Sequence, residues 1–347
     1  MNNTNHEPAR INDIRAARLL LSKFGLTAED LFAEPSRERS TPTVAEYVER
    51  VSAAVGVGAR TAYRPYWNRA VREWGNRALD DISTLEVSQL AEQSKTEALV
   101  RRNSRGGRLA AEHTISALRC LYNCAVAEGI LSAVDNPAAR ASKPRRLPST
   151  RSALPVIRLD EINRTAASTG NDPSLDALIL RLHTETACRR GGALALTAGD
   201  LDAEQRLVRL HEKGGTQRWQ PVSPTLMNHL LLHNEQRGDS SADKLLRYTN
   251  GRPITARRYD YLWNRLGRYL PWVAIQQVST HWLRHTTLTW VERNFGYAVA
   301  TAYAGHVNGS HSGNATAIYV RASLQDIATA LAALTGEPHP LARDISQ

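Results

Sequence analysis

The segment RLVRLHEKGGTQRWQPV, residues 206–222, is where the hydrophobic pattern of this chain changes its period. Short segments of β-type composition flank Gly214-Gly215, and glycine readily adopts the positive φ angles that tight hairpin turns require. The pattern predicts a β-hairpin with Lys213 at its tip. Along much of the remaining chain, apolar residues recur three and four positions apart, which is typical of amphipathic helices. The predicted fold class is therefore mostly α, with a small β-hairpin or sheet.

Helices with one apolar face are predicted on both sides of the hairpin. Residues 41–140 are expected to form four helices, in one of which Ser83 or Thr84 is the cap and Glu86 lies near the first turn. The longest of them places five residues on one side, which are Ile115, Leu118, Leu121, Tyr122 and Ala125. Later in the chain, Asp172-Pro173 is predicted to begin another helix. Its buried face consists of Leu175, Leu178, Ile179 and Leu182.

A linker is predicted in NPAARASKPRRLPSTRSALP, residues 136–155, which combines four prolines with five basic residues. Proline-rich polar chain packs poorly, so we place a domain boundary near residue 150. The predicted organisation is an N-terminal helical extension at 1–40 with a helix start at Thr27, a helical domain at 41–140, a basic linker at 141–155, a second domain at 156–335 and a polar C-terminal tail at 336–347.

The composition is that of a chain that folds around cores, with 42% hydrophobic and 22% charged residues among 347 and a mean hydropathy of −0.41. Apolar runs fall short of the ~20 residues that a membrane-spanning helix needs, and the N-terminus lacks the pattern of a secretion signal. Three cysteines do not make a disulfide framework in a chain of this length. We therefore expect a cytoplasmic protein. Cys120 and Cys124 lie four apart on an apolar helix, where packing is favoured over metal binding.

The charge favours a polyanionic partner, nucleic acid first, because the formal net charge is +10 and the isoelectric point is near 9.8. Residues 41–151 are the most electropositive part, with seventeen Arg and Lys against eleven Asp and Glu. Two basic runs flank the longest predicted helix. They are either solvated loops or contacts to DNA phosphates, and the second interpretation is favoured because the runs occur together. The predicted DNA-contacting residues are Arg101, Arg102, Arg105, Arg108, Arg140, Lys143, Arg145 and Arg146.

Five motifs after residue 155 carry residue types suited to phosphate chemistry. They are TACRRGGALAL (186–196) with Arg189, the hairpin with Lys213, STHWLRHT (279–286) with His281 and Arg284, AGH (304–306) with His306, and ATAIYVRAS (315–323) with Tyr319. His281 and Arg284 are three residues apart, so they share one face of a predicted helix. Ser279 or Thr280 is expected to cap the start of that helix, where backbone N–H groups also favour an anion. His285 follows His281 at a metal-ligand spacing, but a zinc site needs a third protein ligand, so no metal is predicted.

Taken together and in this order, the five motifs resemble those of the tyrosine recombinases, also called phage-type integrases. TACRRGGALAL resembles the family's T-G-L-R-x-x-E-x-L-x-L segment, STHWLRHT its H-x-L-R-H-T box, and AIYVRAS its tyrosine segment. Residues 111–146 resemble the end of the family's core-binding domain, so the resemblance covers roughly residues 41–335. It implies a helical core-binding domain at 41–140 and a catalytic domain at 156–335, closing as a C-shaped clamp around duplex DNA.

The resemblance implies site-specific DNA recombination without metal or cofactor, through a 3′-phosphotyrosine intermediate and a Holliday junction. Tyr319 would be the nucleophile, and Arg189 and Arg284 would neutralise the non-bridging phosphate oxygens. Lys213 would protonate the leaving 5′-oxygen. The chain has five lysines, and a lysine at this position is informative because arginine does not release its proton near neutral pH.

The two histidines of the implied site would act near the same phosphate. His281 would be an acid/base group close to the tyrosine, and His306 would donate a hydrogen bond to the phosphate. Twelve residues separate His306 from the tyrosine, a few more than is common in the family, which makes His311 a rival. The preceding Ala-Gly favours His306.

One position departs from the family pattern. The family usually has an acid three residues after its first arginine, and Gly192 stands there in this chain. Support for Arg189 is therefore expected from elsewhere, with Arg190 as the fallback arginine.

By resemblance, four protomers would bind two DNA sites on the nucleoid, with possible accessory proteins. The helix from Leu324 would dock on a neighbouring subunit or belong to the core of its own chain. Two alternative functions fit the motifs less well. A type IB topoisomerase would carry a third arginine where His281 stands, and a non-catalytic DNA-binding relative is disfavoured by the complete residue set.

Overall fold

The computed structural model describes residues 16, 18–19, 21–23, 41–98, 106–145, 152–212, 215–238, 243–305 and 322–343. The chain forms two compact units, a first unit of Met1–Arg146 and a second unit of Leu147–Gln347. The division falls within the segment expected to be a linker. The predicted helix start at Thr27 lies outside the described residues.

Helices build the first unit. They are α1 (Val44–Ala54), α2 (Val57–Trp74), α3 (Thr84–Thr96), α4 (Arg108–Ala127) and the short α5 (Pro137–Arg140), with a 3₁₀ turn at Leu79–Asp81. Ser83 is the N-cap of α3, since its hydroxyl accepts from the Glu86 N–H while the Glu86 carboxylate accepts from the Ser83 N–H at 2.8 Å. This capping box satisfies two backbone donors that the helix itself leaves unpaired.

Helix α4 supplies much of the first-unit core. Its five predicted apolar residues are all buried. Trp67 donates its indole N–H to the Ala117 carbonyl at 2.9 Å, and Tyr122 donates its hydroxyl to the Leu79 carbonyl at 3.2 Å. The polar ends of these buried rings are thus paired. Cys120, which is half-buried, packs against the same core, as does Cys124.

The second unit contains the sheet. Its elements are α6 (Val156–Ser168), α7 (Pro173–Thr186), α8 (Arg190–Ala195), β1 (Leu201–Asp202), β2 (Leu207–His211), β3 (Gln217–Pro221), α9 (Pro224–Arg237), α10 (Ala256–Tyr269), α11 (Pro271–Gln276), α12 (Thr280–Tyr303) and α13 (Leu324–Thr335), with a 3₁₀ turn at Ala198–Asp200. The predicted class, mostly α with a small sheet, is confirmed.

The sheet is antiparallel in the order β1-β2-β3. Leu207 pairs with Pro221 and His211 with Gln217, which confirms the predicted hairpin. Strand β1 was not predicted, because two residues are too short to show an alternating pattern. Lys213 and Gly214 lie outside the described residues.

Helix α7 crosses the second-unit core. Asp172 caps it by accepting from the Leu175 N–H at 3.3 Å, and the four apolar residues predicted for its face are buried. Asp176, on the same helix, has 0% exposure and accepts from Arg258 and Arg265 of α10 at 2.7 Å each. A buried carboxylate is tolerated only when it is paired in this way.

The terminal helix α13 packs on its own chain. Ile327 and Leu331 are buried beside Val291 and Tyr303 of α12, a helix interrupted at Gly296 by a φ of +81°. Of the two expectations for α13, these contacts within one chain agree with the second, in which the helix belongs to the core of its own chain. The helices of the described part of the chain include none that is long and apolar enough to cross a membrane.

The segment after α13, expected to be a polar tail, returns to the body of the second unit. Glu337 accepts from the Arg181 guanidinium at 2.5 Å and from the Thr225 N–H at 3.0 Å, and His339 is buried. These contacts join residues far apart in sequence, which is why local pattern did not predict them.

Candidate active site

A tight turn between α7 and α8 presents Arg189. Ala187 ends α7 in the left-handed region, at φ 50°, and Arg189 is the N-cap residue of α8. His183 stabilises the turn, with its Nδ1 3.0 Å from the Cys188 carbonyl and its Nε2 3.0 Å from the Tyr259 hydroxyl. Burial lowers the pKa of His183 to about 4, so the ring is neutral, donating from Nδ1 and accepting at Nε2. The turn is thereby fixed by buried hydrogen bonds.

Arg284, on α12, reaches the same turn from the other side. Its guanidinium donates to the Ala187 carbonyl and, at 2.7 Å, to the Ala304 carbonyl. The side chain is buried, and burial together with the nearby Arg189 guanidinium lowers the pKa of Arg284 to about 10. The two arginines predicted to neutralise one phosphate therefore lie close together.

Glu212 and Arg218, which are not among the residues predicted from the sequence, complete this group. Glu212 follows β2 and is 4% exposed; its Oε2 accepts from Arg189 at 2.6 Å and its Oε1 from Arg218 of β3 at 3.3 Å. Burial lowers the pKa of Arg218, and the Glu212 carboxylate opposes that shift. We call Arg189, Arg218, Arg284 and Glu212 the guanidinium cluster. The one feature of the sequence that could have pointed to Glu212 is its position directly before Lys213 in the hairpin.

Gly305, the residue before His306, is held against this cluster. Its φ is +63°, and a Cβ built on it would lie 2.4 Å from Nε of Arg218. A side chain at this position is thus excluded both by backbone conformation and by contact. The AGH motif therefore needs a glycine at 305, directly after Ala304, whose carbonyl accepts a hydrogen bond from Arg284.

His281 lies in the first turn of α12, three residues before Arg284, and its side chain is exposed. Ser279 is the N-cap residue but makes no side-chain capping bond. Thr280 is fixed instead by Trp263, whose indole N–H donates to the Thr280 hydroxyl at 2.8 Å. The helix start that carries His281 is therefore anchored to α10.

The fallback arginine is directed elsewhere. Arg190 lies 3.9 Å from Asp260 of α10, and both side chains are at least half exposed. Arg189 is thus the arginine that joins the guanidinium cluster. Gly192, at the place of the family's acid, has its Cβ position 3.3 Å from the His211 carbonyl oxygen.

Several predicted site residues lie outside the described part of the chain. They are Lys213, His306, its rival His311, Tyr319, and the basic residues Arg101, Arg102, Arg105 and Arg146. The remaining predicted DNA-contacting residues, Arg108, Arg140, Lys143 and Arg145, are exposed. Within the described ranges, no three His, Cys, Asp or Glu side chains are grouped to hold a metal ion.

The chemistry available to the guanidinium cluster follows from its charge. Two guanidiniums, those of Arg189 and Arg218, pair with one carboxylate, and the Arg284 guanidinium is near enough to interact with their charges. The cluster therefore carries a net positive charge beside the exposed part of Arg189. Guanidinium N–H groups match the oxygens of a phosphodiester in geometry and charge. The described residues are therefore suited to binding a phosphate and stabilising additional negative charge on it.

Comparison with known proteins gives a consistent result. Residues 155–325 match the model of the Phage integrase family. The chain is 28% identical over 324 residues to the tyrosine recombinase XerD of Mycobacterium leprae, a match covering 84% of this chain and 94% of the relative. It is 25% identical over 251 residues to the tyrosine recombinase XerC of Chlamydia caviae, covering 71% and 74% of the two chains.

Solved structures share the fold. A lambda integrase in a tetramer bound to a Holliday junction superposes with a TM-score of 0.61 at 17% identity, covering 90% of this chain and 91% of that one. The Tn1549 transposon integrase in complex with circular intermediate DNA gives a TM-score of 0.58 at 16% identity, covering 81% and 96%.

Proposed function

We propose that the chain, whose residues 155–325 match the model of the Phage integrase family, is a tyrosine recombinase and acts as a site-specific DNA recombinase. It cleaves and rejoins DNA strands through a 3′-phosphotyrosine intermediate and exchanges them through a Holliday junction. The observation that carries the proposal is the convergence of Arg189 and Arg284, from separate motifs, on the turn between α7 and α8, where Arg284 donates to the Ala187 carbonyl two residues before Arg189.

The cleavage step assigns a role to each proposed catalytic residue. The Tyr319 oxygen attacks phosphorus, the bond from phosphorus to the 5′-oxygen breaks, and Lys213 supplies the proton to that leaving oxygen. Arg189 and Arg284 stabilise the charge on the non-bridging oxygens.

The two histidines serve the same step. His281 receives the phenolic proton, and His306 donates a hydrogen bond to the phosphate. Rejoining is the reverse, with a 5′-hydroxyl of a partner strand as the nucleophile. The phosphotyrosine bond retains the energy of the broken linkage, so no ATP is needed.

The partner is double-stranded DNA, and the working assembly is a homotetramer that holds two sites. Two structural relatives support this proposal, a lambda integrase tetramer bound to a Holliday junction and the Tn1549 integrase in complex with circular intermediate DNA. Recombination takes place where the DNA is, so the proposed location is the cytoplasm, on the nucleoid.

Two surfaces are proposed to contact DNA, one on each unit. On the first unit these are the exposed residues Arg108, Arg140, Lys143 and Arg145. On the second unit it is the exposed face of α10, which bears Arg257, Tyr261, Asn264 and Arg268. Arginine, tyrosine and asparagine all hydrogen-bond to phosphates or base edges, and their spacing puts them on one side of the helix.

The test is covalent trapping. A duplex is first selected from a randomised pool by binding to the Tyr319→Phe chain, then nicked near the cleavage position so that cleavage releases a short strand. The wild-type chain is expected to form an adduct that survives denaturing electrophoresis and is insensitive to a chelator. Tyr319→Phe should form none, whereas Tyr297→Phe, at an exposed tyrosine, should match wild type. Absence of the adduct from wild type, or its persistence in Tyr319→Phe, contradicts the proposal.

A further inference from the structure

Glu212 is a buried carboxylate shared by two arginines. Its side chain is 4% exposed, while its partners differ: Arg189 is 39% exposed and Arg218 is 13% exposed. The Glu212 backbone is also fixed, since its N–H donates to the Thr216 carbonyl at 2.8 Å. The carboxylate therefore has a defined position. From this buried position it holds the guanidinium of Arg189, whose side chain is partly exposed.

A long side chain such as arginine loses considerable conformational entropy when it is held in one orientation. A hydrogen-bonded carboxylate at 2.6 Å offsets that loss because charge-assisted bonds are short and strong. Arg189 is half-exposed at the start of a six-residue helix, so its direction depends on such a partner.

The local geometry explains why the carboxylate comes from the strand end. The Cβ position of Gly192 on α8 lies 3.3 Å from the His211 carbonyl oxygen, so a side chain there meets the end of β2. Glu212 is the next residue along that strand end and directs its carboxylate to Arg189. The hairpin thus provides an acid, Glu212, next to the place where α8 has Gly192.

The charge balance points the same way. Arg189, Arg218 and Arg284 are close enough for their charges to interact, and Glu212 is the carboxylate that favours the charged state of both Arg218 and Arg284. A neutral residue at 212 would remove the ion-pair partner that Arg189 and Arg218 share and would leave the repulsion among the three guanidiniums opposed by no charge at this position. Held in this way, they keep a net positive charge toward the phosphate.

We propose that Glu212 is a positioning residue of the recombinase, holding Arg189 toward the scissile phosphate and taking the place of an acid on α8. This inference rests on the proposed function. Glu212 acts through Arg189 and does not touch the DNA.

The test compares Glu212→Gln and Glu212→Asp with a matched control, Asp172→Asn. Asp172 is a buried carboxylate of the same unit, 6% exposed and bidentate to Arg237 at 2.5 and 3.0 Å, and asparagine preserves its role as an N-cap. Adduct formation is measured on the selected nicked duplex with a normal scissile phosphate. It is also measured with a neutral methylphosphonate at that position, which has less charge for the arginines to neutralise.

On the normal substrate, Glu212→Gln is expected to form adduct roughly 10- to 100-fold more slowly than wild type, with Glu212→Asp in between. The defect should shrink on the methylphosphonate, because part of the charge that Arg189 neutralises has been removed. Asp172→Asn should lose thermal stability by calorimetry while cleaving both substrates at close to the wild-type rate.

The outcomes separate the two proposals. If wild type forms an adduct and Glu212→Gln forms it equally fast, or shows the same defect on both substrates, the positioning role is overturned and the recombinase function stands. If Asp172→Asn shows the same substrate-dependent defect, loss of stability explains the result and the positioning role also fails. If wild type forms no adduct, the proposed function fails and this inference fails with it.

Discussion

At the scale of single residues, the site depends on side chains whose partners lie in other motifs. Arg284 joins the turn before Arg189 to the carbonyl of Ala304 by two hydrogen bonds, and the next residue, Gly305, approaches Arg218 closely. A branched guanidinium with several donors serves this purpose, whereas a single ammonium group does not. Substitutions at these positions are therefore expected to act mainly by displacing the arginine side chains, and less by changing the charge of the site.

Gly305→Ala is expected to cost about 1–3 kcal/mol of unfolding free energy from backbone strain and to displace Arg218, slowing adduct formation. Gly251→Ala is the matched control, since Gly251 has a similar φ of +76° and nothing within 4 Å of its Cβ position. Both variants should lose stability in denaturant titrations, and only Gly305→Ala should lose cleavage beyond that. Equal cleavage by the two variants would show that the contact with Arg218 has no role.

Arg189→Lys is expected to reduce adduct formation on the order of 100-fold, because lysine cannot donate both to Glu212 and to a phosphate in the arginine geometry. Arg190→Lys is the control, since Arg190 is half exposed and 3.9 Å from Asp260. Single-turnover cleavage measures both. The reverse ranking would assign the catalytic role to Arg190.

At the scale of elements, short capping sequences set where the helices begin. The Ser83–Glu86 capping box starts α3, and hydrogen bonds from the Arg77 side chain and from Ser83 lower the pKa of Glu86 to about 2. The stability that this carboxylate contributes is present above its unfolded pKa, near 4.5, and is lost as the pH falls toward 2.

Ser83→Ala is expected to reduce the stability of α3 by about 1 kcal/mol at neutral pH, since it removes one side-chain cap. Glu86→Gln should also destabilise α3, by an amount that declines between pH 4.5 and about 2. Hydrogen exchange of the α3 backbone amides measures both effects at chosen pH values. A Glu86→Gln effect that stays constant across this range would contradict the assigned pKa.

At the scale of the whole molecule, the net charge of +10 governs association with DNA. Each phosphate contact releases condensed counterions, so affinity falls with salt in proportion to the number of contacts. The exposed basic residues of the first unit, in the most electropositive part of the sequence, are the proposed source of much of this dependence.

The double variant Lys143→Gln with Arg145→Gln is expected to make the negative slope of log affinity against log salt concentration shallower by roughly 2, because each phosphate contact contributes about 0.9 to its magnitude. The control is Arg252→Gln with Arg343→Gln, two exposed arginines of the second unit. Fluorescence anisotropy with the selected duplex over a salt series gives both slopes. An unchanged slope in the first variant would remove this surface from the DNA interface.

The sequence by itself determined the helices, their caps, the hairpin and the motifs that resemble those of tyrosine recombinases, because each is encoded by neighbouring residues at fixed spacing. The face of α4, the cap at Asp172 and the pairing of β2 with β3 were all predicted in this way. The catalytic roles of all six proposed residues remain predictions, and Lys213, His306 and Tyr319 also lie outside the described ranges.

Only the tertiary structure decided which charged groups meet. The links from Glu212 to Arg189 and from Asp176 to Arg258 join residues far apart in sequence, and no periodicity specifies such a partner. Their pairing follows from burial, since a carboxylate removed from water must lie beside a cation wherever the fold places one. For this reason the acid missing from α8 could be recognised in the sequence, while the strand end that replaces it could not.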